Sequence, residues 1–146
     1  METETDALAR RVAEALIARE GTAPAWRLRL EAARVGYARV SMLVRADMLN
    51  GYGTAHGGMI FALADSAFAY ACNSRNTGTV AQQASIAFLS PARVDEKLVA
   101  EAREIALAGR SGVYSVEVRG GDGRLVAHFQ GLSRVSGDPI LDPESA

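Results

Sequence analysis

The chain carries one acidic side chain inside an otherwise apolar run: Asp65, within Met59-Ile60-Phe61-Ala62-Leu63-Ala64-Asp65-Ser66-Ala67-Phe68-Ala69-Tyr70-Ala71-Cys72. Read as a helix, this run is hydrophobic on almost every side, which marks a buried helix. A carboxylate there is costly unless it is paired, hydrated or neutralised. Partial desolvation raises its proton affinity, which suits a general base or a nucleophile. The plain alternative is a structural acid satisfied by Ser66, by a backbone group or by an arginine. Phe61 and Phe68 stand at helical spacing from Asp65 and are expected to share its face.

The run is entered through Asn50-Gly51-Tyr52-Gly53-Thr54-Ala55-His56-Gly57-Gly58. The first N–H groups of a helix have no intrahelical partner. Glycines at that point let a ligand approach, and the helix dipole favours an oxyanion or a polarised carbonyl. Gly57 and Gly58 are therefore candidate donors, or simply a tight turn. Asn50 could orient a water or a carbonyl, or cap the loop, since Asn-Gly is a common turn dipeptide. His56 could act as an acid–base group or as a loop hydrogen-bonder. Arg110-Ser111-Gly112, between two expected strands, could meet a phosphate or be a solvated hairpin tip. His128, within an expected strand, reads as structural.

The elements that must position these groups follow from periodicity. Residues 6–19 form an amphipathic helix stopped by Gly21 and Pro24. Two short strands separated at Gly36-Tyr37 cover residues 26–45, with Ala38, Val40, Met42 and Val44 on a buried face and Tyr37, Arg39, Ser41, Leu43 and Arg45 on a polar one. The apolar helix ends near residues 73–76. Strands follow at 79–89, 97–108, 112–119 and 125–135, the last two joined by the hairpin signal Gly120-Gly121-Asp122-Gly123. The tail from Gly137 is expected to be loose. The resulting fold class is α+β, one antiparallel sheet wrapped around a long central helix in a single domain. Its exposed edges favour pairing with a second copy.

Composition narrows the function classes. The 146 residues carry a net charge of −1, with 49% hydrophobic and 23% charged residues. Of sixteen basic residues only Lys97 is lysine, and the arginines are scattered. Neither nucleic acid nor a membrane surface is an expected partner. The run from Met59 to Cys72 is too short to span a bilayer. The acidic N-terminus does not read as a signal peptide, so a cytoplasmic location is expected. Cys72 is the only cysteine, and no residue set has metal-ligand spacing. Nucleotide-binding and serine-hydrolase motifs are absent.

Asn50-Gly51-x-Gly53-x-x-His56-Gly57-Gly58 followed by Phe61-x-Leu63-Ala64-Asp65-x-Ala67-Phe68-Ala69 resembles the hotdog-fold acyl-CoA thioesterases, in their phenylacetate-degradation branch. Ala71-Cys72-Asn73-Ser74, Phe88-Leu89-x-Pro91 and Gly112-Val113-Tyr114 extend the likeness over roughly residues 35–134. The resemblance implies a hotdog fold and homodimers or homotetramers with active sites at the dimer interface. It implies Asp65 as the catalytic carboxylate and Gly57 as donor to the thioester carbonyl, with Asn50 and His56 helping to place carbonyl or water. Gly58, Phe61, Phe68 and the Arg110–Gly112 turn would contact the substrate. Coenzyme A would enter as part of that substrate, with no separate cofactor. An aryl or arylacetyl-CoA is the implied substrate class. Ala87 and Ser90 depart from the family pattern, which often has an acidic or amide residue and an arginine there.

Geometry gives a second reason for a shared site. Gly58 and Asp65 are seven residues apart, about 10 Å along one helix. One thioester would bridge that span within a chain only when stretched. Two rival functions fit the same residues: a hotdog hydratase or dehydratase, and an acyl-CoA-binding module without catalysis.

Overall fold

The computed structural model describes residues 1–143. Helix α1 spans Glu4–Arg19, and Thr3 caps it by accepting the Asp6 N–H at 3.1 Å. A short helix not expected from the sequence, α2, covers Thr22–Trp26. Strands β1 (Arg29–Arg34) and β2 (Tyr37–Leu43) form a hairpin through Gly36, whose φ of +68° is the left-handed region that glycine tolerates. A single 3-10 turn at Ala46–Met48 leads to helix α3, Gly57–Cys72. Strands β3 (Gly78–Phe88), β4 (Lys97–Ala108), β5 (Ser111–Arg119) and β6 (Leu125–Gly137) complete the chain.

The six strands form one antiparallel sheet in the order β1-β2-β4-β5-β6-β3. It wraps around α3, which packs against every strand. The core lies between them, with Leu63, Ala64, Ala67 and Phe68 of α3 against Val40, Met42, Leu98, Val116 and Phe129. Gly131 is needed here, because a Cβ at that position would lie 2.7 Å from the Phe68 ring.

The alternation expected of β2 holds on its inner face, where Ala38, Val40 and Met42 are buried. Its other face is more covered than expected. Ser41 donates to Glu31 at 2.6 Å, and Tyr37 lies beneath the guanidinium groups of Arg34 and Arg103, 4.0 and 5.0 Å from its ring centre. Long polar side chains shield that face in place of a second layer.

Part of the segment expected to be loose is tied down. Asn76 donates to the Leu141 carbonyl at 3.0 Å and accepts the Leu141 N–H at 2.8 Å, and Arg19 donates to the Ile140 carbonyl. The rest of that expectation, residues 144–146, lies outside the described residues. Among the described residues, no helix is long and apolar enough to cross a membrane.

The two sheet edges differ. β1 is short, carries Arg29, Glu31 and Arg34, and lies beside α1. β3 is eleven residues long, contains neither charge nor proline, and leaves its outer edge open.

Candidate active site

The start of α3 is built by its cap. His56 is the N-cap residue, and its Nδ1 accepts the Gly58 N–H at 2.9 Å. Its carbonyl accepts from Met59 and Ile60 at 2.9 and 3.3 Å. Among the described residues the Gly57 N–H has no partner. Of the two glycines, Gly57 thus offers the free donor, and Gly58 is occupied by the cap. His56 thus realises the loop hydrogen bond expected of it.

Asn50 holds the preceding loop. Its Oδ1 accepts the N–H groups of Tyr52 and Thr54 at 2.9 and 3.2 Å, and its Nδ2 donates to Thr54 Oγ1 at 3.1 Å. It also lines, with Thr54, Gly57, Ile60, Phe88 and Pro91, a cleft of about 390 Å³. The loop-cap reading and a place in the cleft are both realised. Phe88 is the wall nearest Gly57: a Cβ on Gly57 would sit 2.9 Å from the tip of its ring. The likeness quoted Phe88 only as part of a strand motif. Its approach to a glycine thirty-one positions earlier has no sequence signal.

Asp65 lies two helical turns further along α3. It is partly buried and accepts no hydrogen bond from the described residues. Ser66, the neighbour that might have satisfied it, donates to the Ala62 carbonyl at 3.0 Å instead. Burial, and after it the negative charge of Glu20, raise the Asp65 carboxyl above the ordinary range. Among the described residues the structural-acid reading finds no hydrogen-bond partner for Asp65.

The two aromatics part company. Phe61 is partly buried and meets Phe129 edge-on at 5.2 Å between ring centres. Phe68 is 1% exposed and packs against Tyr114 and Phe129 at 5.4 and 5.8 Å. Phe68 is a core residue in this chain. An all-apolar helix has no periodicity to tell its core side from its open side, which is why the sequence grouped the two.

The turn at residues 110–112 sits at the other end of α3. Arg110, Ser111 and Gly112 line a narrow cavity of about 110 Å³ with Arg75, Thr79, Ser133 and the buried Cys72, whose thiol burial pushes up to about 12. Arg110 donates to the Val135 carbonyl at 3.1 Å. Gly57 and this turn are separated by the length of the helix, so one chain does not bring them together. Asp65 lines neither cleft.

At the departure from the family pattern, Ser90 Oγ donates to the Leu125 carbonyl at 2.8 Å and accepts from Arg124 Nε at 3.2 Å. Arg124 also pairs with Glu96 and Asp122. A guanidinium thus stands beside Ser90, already neutralised. His128, on β6, meets Ser115 Oγ at 2.8 Å across the outer face of the sheet.

A free helix-start N–H beside a cleft and an unpartnered acid on the same helix are the parts of a carbonyl-activating site. Residues 52–127 match the family model described as Thioesterase superfamily. The chain belongs to the thioesterase superfamily. It is 43% identical over 105 residues to the acyl-coenzyme A thioesterase PaaI of Escherichia coli (strain K12), covering 72% of this chain and 75% of that protein. The structure of the E. coli PaaI protein from the phenylacetic acid degradation operon superposes with a TM-score of 0.91 at 36% identity, over 93% of this chain and 99% of that one. A hypothetical thioesterase from Streptococcus pneumoniae, solved with coenzyme A, superposes with a TM-score of 0.74 at 28% identity, over 77% of this chain and 88% of that one. The hotdog thioesterase fold expected from the motif is therefore the fold of this enzyme.

Proposed function

We propose that this thioesterase hydrolyses acyl-CoA thioesters, with Asp65 as the catalytic carboxylate and the Gly57 N–H as donor to the thioester carbonyl. The observation that carries the proposal is the unpartnered Gly57 N–H at the mouth of the cleft, with an equally unpartnered Asp65 on the same helix. The helix dipole and the fixed N–H favour the oxyanion that forms as the carbonyl carbon is attacked. Asp65 takes a proton from water as the oxygen adds, the C–S bond breaks, and coenzyme A leaves as a thiolate. In the other route Asp65 itself attacks, giving a mixed anhydride that water opens. A single turnover in ¹⁸O-water that labels the Asp65 carboxyl marks the anhydride route, opened by water at the Asp65 carbonyl carbon.

The site is completed by a second copy. Antiparallel pairing of β3 with its counterpart sets the Gly78 end of one strand beside the Phe88 end of the other. The Phe88 end carries Gly57, Asn50 and Pro91, and the Gly78 end carries Thr79 and the Arg110–Gly112 turn. A cleft that is split in one chain is thereby joined across two, with the α3 helices side by side and one Asp65 near the other's Gly57. Arg110 then supplies a cation for the phosphates of coenzyme A, which enters as part of the substrate.

The acyl group is aryl or arylacetyl, as in phenylacetyl-CoA or hydroxyphenylacetyl-CoA. Support comes from the apolar wall of Ile60, Phe88 and Leu89, from Phe61 on the face of α3, and from the operon of the E. coli relative. A reducing cytoplasm suits the single buried thiol. The test is a free-thiol assay over a panel of acyl-CoAs. Release of coenzyme A separates hydrolysis from hydration and from mere binding. Palmitoyl-CoA turned over faster than phenylacetyl-CoA would overturn the acyl preference.

A further inference from the structure

Phe88 ends β3 with its ring turned toward the start of α3. The place a Cβ would take on Gly57 lies 2.9 Å from the ring tip, and 3.3 and 3.5 Å from the two ring atoms beside it. A backbone nitrogen is about 2.5 Å from its own Cβ position, so the ring tip stands at most about 5.5 Å from the Gly57 nitrogen. Gly57 and Phe88 line the same cleft, with the buried Ile60 between the walls. A carbonyl that accepts the Gly57 N–H from within that cleft, at about 3 Å, comes to lie beside the ring.

The backbone on both sides of this gap is fixed. The Ala55 N–H donates to the Ala92 carbonyl at 2.8 Å, which ties the loop before α3 to the segment after β3. Within the loop, the Asn50 N–H donates to the Thr54 carbonyl at 2.7 Å and the His56 N–H to the Met48 carbonyl at 2.8 Å. On the other wall Phe88 pairs with Ala127 of β6. The next two N–H groups, of Leu89 and Ser90, both donate to the Val126 carbonyl, at 2.8 and 3.2 Å. The width between Gly57 and the root of the Phe88 side chain is therefore set by hydrogen bonds, and the half-exposed ring alone is left to adjust.

We propose that Phe88 is a specificity-determining residue: its ring and Gly57 form a slot that fits the flat thioester group and disfavours acyl chains branched at the carbon next to the carbonyl. The inference rests on the thioester carbonyl meeting the Gly57 N–H. The thioester carbon, its oxygen, its sulfur and the next acyl carbon lie in one plane, and a group of that thickness passes the edge of a ring. An arylacetyl group keeps to the slot by holding its CH2–ring bond near that plane. A methyl added to the same CH2 projects out of the plane toward Phe88. It enters only if the ring turns off Gly57, and the ring then gives up its contact with the thioester. One methyl in a fitted pocket is worth a discrimination of about 10- to 200-fold. The slot thus narrows the substrate class to thioesters of unbranched acids.

The experiment measures kcat/KM by free-thiol release from the full-length protein, for two pairs of thioesters that differ by one methyl. One pair is phenylacetyl-CoA and 2-phenylpropionyl-CoA, and the other is propionyl-CoA and isobutyryl-CoA, which does not depend on an aryl preference. The wild type is expected to favour the unbranched member of a pair by about 10- to 200-fold. Phe88→Ala is expected to cut that ratio by about fivefold or more through a gain on the branched member. Phe88→Leu is expected to cut it less, and stands in if Phe88→Ala does not fold. Thermal melts and sedimentation on the same samples report fold and assembly. A wild type without preference in either pair, or a folded Phe88 variant with the wild-type ratio, overturns the proposal. A variant that falls apart into subunits and loses both members of a pair equally makes the ring an interface residue and overturns it as well. Release of coenzyme A without discrimination sinks the slot alone, whereas no release from any thioester sinks acyl-CoA hydrolysis and the slot with it.

Discussion

His56 Nδ1 accepts the N–H of Gly58 at 2.9 Å, and the N–H one residue earlier, on Gly57, is left free among the described residues. The cap thereby decides which of two adjacent glycines can meet a carbonyl. An N-cap side chain of this kind is worth about 0.5–2 kcal/mol. His56→Asn, which restores a capping acceptor without an ionisable ring, is expected to keep most of the activity. His56→Ala is expected to lose stability in that range and to lose activity with it. Denaturant melts and kcat for the two variants check this, and an inactive but fully stable His56→Asn would return His56 to acid–base chemistry.

Gly57 and Gly131 both face aromatic rings, with opposite consequences. A methyl on Gly57 meets the tip of Phe88, which is 54% exposed and can swing away. Gly57→Ala should fold with little loss of stability and, if the thioester approaches Gly57 as proposed, lose activity to the added methyl. Gly131→Ala drives a methyl into the buried Phe68 ring and should cost about 1–3 kcal/mol. Thermal melts compared with turnover separate a site glycine from a packing glycine.

Asp65→Asn is expected to lower kcat by about a hundredfold or more, the range of general acid–base catalysis, with a smaller change in KM. Wild-type activity should fall as pH drops through the raised Asp65 value. Stability should move the other way. Because the folded carboxyl sits above its unfolded value, the native state binds more protons between the two, and stability declines as pH rises through that window. Asp65→Asn removes this penalty. Its melting temperature should exceed the wild type's at neutral pH, with the gap closing as the solution is acidified.

The free edge of β3 provides the test of assembly. Gln82 and Ser85 are exposed on it. Gln82→Glu with Ser85→Glu places like charges across a β3–β3 pair and should give a folded monomer with little thioesterase activity. Sedimentation and turnover measured on the same sample decide it. A fully active monomer would contradict the shared site.

The main elements of the fold were legible in the sequence, because strands such as β2 and β5 alternate and the hairpin turns at Gly36, Gly109 and residues 120–123 carry glycine. The boundaries of β4 agree with the residues that suggest them, and α3 ends at Cys72, short of the expected 73–76. The site was legible where it is local: the loop, the cap and the acid lie within sixteen residues. What escaped is what the fold joins. Phe88 over Gly57 and Glu20 against Tyr70 are contacts between distant segments, the second across fifty positions. The short α2 escaped because five residues around Pro24 carry no amphipathic repeat. Phe68 was misplaced because a helix of uniform hydrophobicity does not announce which side the sheet will cover.

The bare edge of β3 also bears on the fate of a newly made chain. Proteins that live as monomers guard such strands with lysine, proline or an inward charge. β3 has none of these along eleven residues. An unpartnered subunit is therefore as able to template a foreign strand as its own twin. The proposed pairing would then act as quality control, withdrawing the hazard from solution at the moment the enzyme matures. Inherited or engineered changes that slow this encounter would register first as precipitated protein during synthesis, before any defect in catalysis could be measured.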